Sequence, residues 1–145
     1  MLNLFGCNLE DHQIARLVTC MPDCLEELYL GRNPCQMAGI GALCDRLVLD
    51  TSRLVKLDVL YEQNDFNEEG LVGFPLLASA LERNRSLQMF NLAYSRFHEG
   101  DWVALAKALT MNTTLKQFVL RKTLRVSGDP QILDPRTSGM LLRSI

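Results

Sequence analysis

The residues whose types suit chemistry are few: two histidines, five cysteines and the acidic side chains beside them. Cys20 and Cys24 stand in a C-x3-C spacing, within the range used by zinc sites, but such a site needs further thiolate or imidazole ligands. No second ligand pair follows, and His12 and His98 fall far apart in the chain. Cys7, Cys35 and Cys44 coincide with apolar positions of the pattern described below, where a free thiol behaves as a small hydrophobe. No metal site is expected. Asp11 precedes His12 and Glu99 follows His98, yet both pairs fall at turns into helices, where acidic side chains complement the helix N-terminus. "GRNPCQMAGIG" lacks the Lys-Ser/Thr of a phosphate-binding loop. No nucleophile, base or paired carboxylates assemble, so the expectation is a protein without catalytic residues or cofactor, and not an enzyme.

Composition narrows the class of partner. The 145 residues are 48% hydrophobic and 22% charged with a formal net charge of -2, as in an ordinary globular chain. Scattered Lys and Arg give no footprint for a polyanion, so nucleic acid is not expected. The longest apolar runs, such as Leu76–Leu81, fall far short of the roughly 20 residues that span a bilayer, so neither is a membrane. An odd number of cysteines without a secretory leader favours reduced thiols and a cytoplasmic setting.

The positioning elements come from a repeat. "LEELYLGRNPC" (Leu25, Leu28, Leu30, Asn33) recurs as "LVKLDVLYEQNDF" (Leu54, Leu57, Val59, Asn64), "LQMFNLAYSRF" (Leu87, Phe90, Leu92, Ser95) and "LKQFVLRKT" (Leu115, Phe118, Leu120, Thr123), with a headless copy "LNLFGCNL" at the start. The copies are roughly 30 residues apart, the spacing of leucine-rich repeats. Each opens with alternate apolar residues, the mark of a short strand. Each then continues at spacings of three and four, the mark of one helix face: Ile14, Leu17, Val18, Met21; Met37, Ile40, Leu43, Cys44, Leu47; Trp102, Leu105, Ala106, Leu109. A strand–turn–helix unit cannot bury its apolar side alone, so units stack, strands in a parallel sheet and helices opposite. The expectation is an α/β solenoid of four to five units, with the sheet on the concave side and helices on the convex side. Repeats fall near 1–24, 25–53, 54–86, 87–114 and 115–123, and 124–145, with two Asp-Pro pairs and no helical period, reads as an irregular tail. "EEGLVGFP" reads as a bulged loop leading to a helix from Pro75 to Arg83. Asn84 and Asn112, just past two helices, read as left-handed helix ends; they also form N-x-S/T sequons, which the structural reading outweighs. The turn residues Cys7, Asn33, Asn64, Ser95 and Thr123 read as inward polar groups that satisfy turn backbone.

Residues 2–123 resemble the ribonuclease-inhibitor-like leucine-rich repeats, the long-repeat subclass also seen in NOD-like receptors and the Ran GTPase-activating protein. "LFGCNLEDHQIARL" is similar to its cysteine-type unit and "LYLGRNPCQMAGIGALCDRL" to its asparagine-type unit. Departures are Cys35 where leucine is usual, a swollen second full repeat, and Ser95 and Thr123 at asparagine positions. The resemblance implies inhibitors, sensors and GTPase regulators alike.

The outward strand positions remain as a candidate site: Phe5, Tyr29, Arg32, Lys56, Asp58, Tyr61, Asn91, Tyr94 and Arg121, including one aromatic per unit over four units. Tyr and Arg dominate interface energetics, so this face is expected to bind a partner protein. Regulation of a small GTPase, or ligand sensing as in a NOD-like receptor, is the alternative. A repeat stack with no polar cap reads as part of a longer protein. Its uncapped first strand suggests either a monomer or weak self-association.

Overall fold

The computed structural model describes residues 1–59, 73–92, 96–120 and 124–125. Within them the chain runs β1 (Leu2–Asn3), α1 (Asp11–Cys20), β2 (Glu27–Tyr29), α2 (Met37–Leu47), β3 (Lys56–Asp58), α3 (Phe74–Arg83), β4 (Met89–Asn91), β5 (Arg96–Phe97), α4 (Glu99–Met111), β6 (Gln117–Val119) and β7 (Leu124–Arg125). The five strands that open the units form one parallel sheet in the order β1-β2-β3-β4-β6. Leu2, Leu28, Leu57, Phe90 and Phe118 stand side by side across it, one from each unit. This is the α/β leucine-rich-repeat solenoid that the spacing predicts.

Alternation sets which side of each strand is buried. In β2, β3 and β4 the central residue is buried between two half-buried neighbours, and Leu28, Leu57 and Phe90 are fully inside. The helices close the other side with Ile14 and Val18, then Ile40, Leu43 and Leu47, then Phe74, Leu77 and Leu81, then Leu105 and Leu109. Each such side chain contributes about 1.5–3 kcal/mol, so stacking rather than helix propensity holds the units. The Phe90 and Phe118 rings meet at 5.7 Å between centroids, tilted by 45°. The helical stripe is narrower than its spacing suggests. Met37 and Ala106 are exposed and Cys44 is half-buried, because neighbouring helices cover only the residues pointing at the sheet or at each other.

Two short additions escape the pattern. α3 begins at Phe74, one residue before the predicted Pro75, which still falls in the first turn where its missing N–H costs nothing. β5 pairs in parallel with β7, Arg96 beside Leu124 and Phe97 beside Arg125, so a second ladder starts at the residues assigned to the tail. Residues 126–145 lie outside the described residues.

Buried polar groups stitch one unit to the next. Asn33, 2% exposed, donates to the carbonyls of Leu4 (2.8 Å) and Leu30 (2.7 Å) and accepts from the Leu9 N–H (2.9 Å). The expected structural role of this asparagine is what the geometry shows; Asn64, Ser95 and Thr123 lie outside the described residues. Cys7, expected to point inward at the same position, is exposed and reaches only its own turn, at 3.9 Å from the Phe5 carbonyl.

Asn84 and Asn112 are not left-handed caps. Both are extended, at φ -65° and -83°. Asn84 Nδ2 donates to the Leu47 carbonyl and Asn112 Nδ2 to the Leu81 carbonyl, both at 2.7 Å, joining each to the end of the preceding helix. Their Oδ1 atoms accept the N–H groups of Leu87 and Leu115, both at 2.8 Å, which starts the next strand segment. The Leu81 carbonyl near the end of α3 is thus taken by Asn112 of the next unit, so α3 needs no left-handed turn at Asn84.

Candidate interaction face

The face opposite the helices is built from the strand residues that alternation turns outward. The register sets them in two rows. One runs Asn3, Tyr29, Asp58, Asn91, Val119; the other runs Glu27, Lys56, Met89, Gln117. Neighbours along a row are side by side on adjacent strands, the arrangement in which cross-strand side chains interact.

Most of the charge in these rows is already spent within the face. Lys56 Nζ is 2.8 Å from Glu27 Oε1, and Tyr29 Oη donates to Glu27 Oε2 at 3.3 Å. The hydrogen bond from Lys56 holds the Glu27 carboxyl below its usual pKa, and the same bond raises Lys56, so both stay charged across the neutral range. Partial desolvation, aided by the Glu27 carboxylate, raises the Tyr29 phenol. One row over, Asn91 Nδ2 donates to Asp58 Oδ2 at 2.9 Å.

At the end of the rows, Phe5 and Arg32 form the most exposed aromatic feature among the described residues. Phe5 is 45% exposed, and the Arg32 guanidinium carbon stands 5.5 Å from its ring centroid, within cation–π range. A Cβ on Gly31 would lie 2.8 Å from Phe5 Cδ2 and Cε2 and 3.1 Å from Asp58 Oδ1, so only glycine lets the ring settle there. Arg32 itself holds φ at +58°, a left-handed backbone that a non-glycine residue adopts at some cost. The Phe5 N–H, which by alternation with Leu4 and Gly6 points to the outer edge of β1, is taken by Asn3 Oδ1 at 3.0 Å.

Of the residues singled out from the sequence, Phe5, Tyr29, Arg32, Lys56, Asp58 and Asn91 share this face. Tyr61, Tyr94 and Arg121 lie outside the described residues. Phe5 and Tyr29 do not form successive rungs of an aromatic ladder, because the register places Asn3 beside Tyr29 and Phe5 beside Gly31. Glu27 is the central residue that the spacing alone does not single out. Its signal was present: Glu27 and Lys56 occupy one position in successive units with opposite charge.

Elsewhere the bland readings of the reactive residues fit their surroundings. Asp11 Oδ1 and Oδ2 accept backbone N–H groups at the start of α2. His98 N–H donates to Asp101 Oδ2 at 2.8 Å as part of a capping box. All five cysteines are free, and burial pushes the Cys35 and Cys44 thiols up to about 12. Among the described residues no group of three or more His, Cys, Asp or Glu side chains could hold a metal ion, and no helix is long and apolar enough to cross a membrane. A cleft of about 490 Å³ at the ends of α1 and α2 is lined by Asp23, Cys24, Asp50, Thr51 and Arg53. It lies where Thr51 stands in place of the asparagine that Asn84 and Asn112 supply to later units. There Arg46 bridges instead, donating to the Pro22 carbonyl at 2.8 Å and pairing with Asp23 at 2.6 Å.

Fold and face together define a leucine-rich-repeat-type solenoid in which no described helix packs on the outward side of the sheet. No protein-family model and no curated protein matches the chain. Among solved structures it is similar to leiomodin-1 actin-binding site 2 (ABS2), with a TM-score of 0.67 and 16% identity over 99% of this chain and 78% of that one. At that identity the likeness concerns the fold alone.

Proposed function

We propose that the protein is an interaction module that binds a partner protein through the open sheet face and carries out no chemistry of its own. The observation that carries this reading is the Phe5–Arg32 stack on Gly31, an aromatic and a guanidinium held at the surface at the expense of a left-handed backbone. Assignment to the long-repeat, ribonuclease-inhibitor-type subclass is supported by full helices of 11 and 13 residues between short strands. The free thiols support a reducing, cytoplasmic setting.

The test is binding to purified candidates of two kinds: monomeric actin, the partner in the name of the similar leiomodin module, and a panel of GTP-loaded small GTPases, with GTP hydrolysis followed in parallel. A partner whose affinity falls at least tenfold in Phe5→Ala/Arg32→Ala, and is unchanged in Val103→Ser on the exposed side of α4, supports the reading. Loss in the Val103 variant alone overturns it. Accelerated GTP hydrolysis moves the protein to the regulator class.

A further inference from the structure

We propose that the partner segment received by the open face is close to electrically neutral, anchored by apolar and amide groups rather than by salt bridges. This rests on the binding role proposed for that face. Among the described residues of the face, the charges cancel: Glu27 and Asp58 against Lys56 and Arg32. Each is also engaged within the face. Lys56 sits 2.8 Å from Glu27, Asn91 donates to Asp58 at 2.9 Å, and Arg32 lies over Phe5. A charged group on a partner would have to desolvate and compete with a contact that already exists, so it gains little to offset that cost. The same rows offer Tyr29, Met89 and Val119, half-buried, and Gln117, exposed. Among the described residues towards β4 and β6 the outward strand positions are Met89, Asn91, Gln117 and Val119, none of them charged. Complementarity there calls for aliphatic or aromatic side chains with amide or hydroxyl neighbours. A face of this kind recognises by shape and burial, and salt barely screens it.

The experiment is selection from a random peptide display library on the intact chain, with binders sorted by their loss on Met89→Lys or on the milder Gln117→Glu. The expected result is face-dependent peptides of near-zero net charge whose affinity changes less than about twofold when ionic strength rises from roughly 0.05 to 0.5 M. Glu27→Gln supplies the second arm. It leaves Lys56 uncompensated, and selection on that variant shifts to acidic peptides with tenfold or greater salt sensitivity. Face-dependent binders that are strongly charged and salt-sensitive on the unaltered chain overturn the neutrality while leaving the binding face intact. Binders insensitive to both face substitutions, or no binders at all, overturn the binding face and the neutrality with it.

Discussion

The carboxylate of Asp11, in the first turn of α1, accepts the backbone N–H groups of Gln36 (2.7 Å), Ala38 (2.9 Å) and Gly39 (2.8 Å), and so caps the helix of the following unit. α2 has no side-chain cap from its own N-cap residue, Gln36, so its orphan donors depend on the neighbour. Asp11→Ala removes charge-assisted bonds and a favourable helix-dipole contact together. It should cost roughly 2 kcal/mol, read as a lower urea midpoint with an unchanged slope.

The close approach behind that cap needs a glycine. A Cβ at Gly39 would lie 2.8 Å from both Asp11 Oδ1 and Cys35 Sγ and 3.1 Å from Ile14 Cγ2, whereas one at Gly41, in the same helix, meets open space. Gly41→Ala should therefore stabilise by roughly 0.5–1 kcal/mol through helix propensity. Gly39→Ala should destabilise by about 1–3 kcal/mol despite the same propensity gain. Thermal unfolding of the two variants side by side separates crowding from propensity.

Asn33 is the buried link between the first two units. Asn33→Leu strands the Leu30 carbonyl and the Leu9 N–H, and leaves the Leu4 carbonyl with the Cys7 N–H at 3.2 Å. The expected loss is about 1–3 kcal/mol, and hydrogen exchange should rise first at Leu9, whose N–H loses its acceptor.

Thiol chemistry divides the cysteines. Cys7, Cys20 and Cys24 are exposed, while the Cys35 and Cys44 thiols are pushed up to about 12 by burial and so stay protonated at pH 8. An alkylating reagent at pH 8 should modify three cysteines in the native chain and all five in denaturant. Rapid native labelling of Cys35 would contradict the packing described.

The Glu27–Lys56 pair has a defined pH window. Glu27 is depressed, so its contribution is present above the ordinary carboxylate pKa of 4.5 and fades as pH falls through the lower folded value. Lys56 is raised, so its contribution is complete below 10.5 and fades as pH climbs through the higher folded value. In a carbon-detected NMR titration, Lys56→Met should move the Glu27 midpoint upward, because the hydrogen bond that depresses it is gone.

Much of the architecture was legible in the order of residues. The alternate leucines at Leu28 and Leu30, the helical spacing of Ile40, Leu43 and Leu47, and their return about every 30 residues announced strand, helix and stack. The candidate face was half legible. Outward positions follow from alternation, but the two-residue offset between Phe5 and Tyr29 shows only when the units are laid against each other.

By itself, then, the sequence determined the unit, its repetition and which side of each strand meets the core, because periodicity is a property of chain order. Only tertiary structure decided which side chain of one unit reaches the backbone of the next. Asp11 onto α2, Asn84 onto the Leu47 carbonyl, Glu27 onto Lys56 and Phe5 onto Gly31 depend on the offset and rotation between stacked units. That offset is set by how buried volumes such as Phe90 against Phe118 fit together, a sum over many contacts that no local spacing carries.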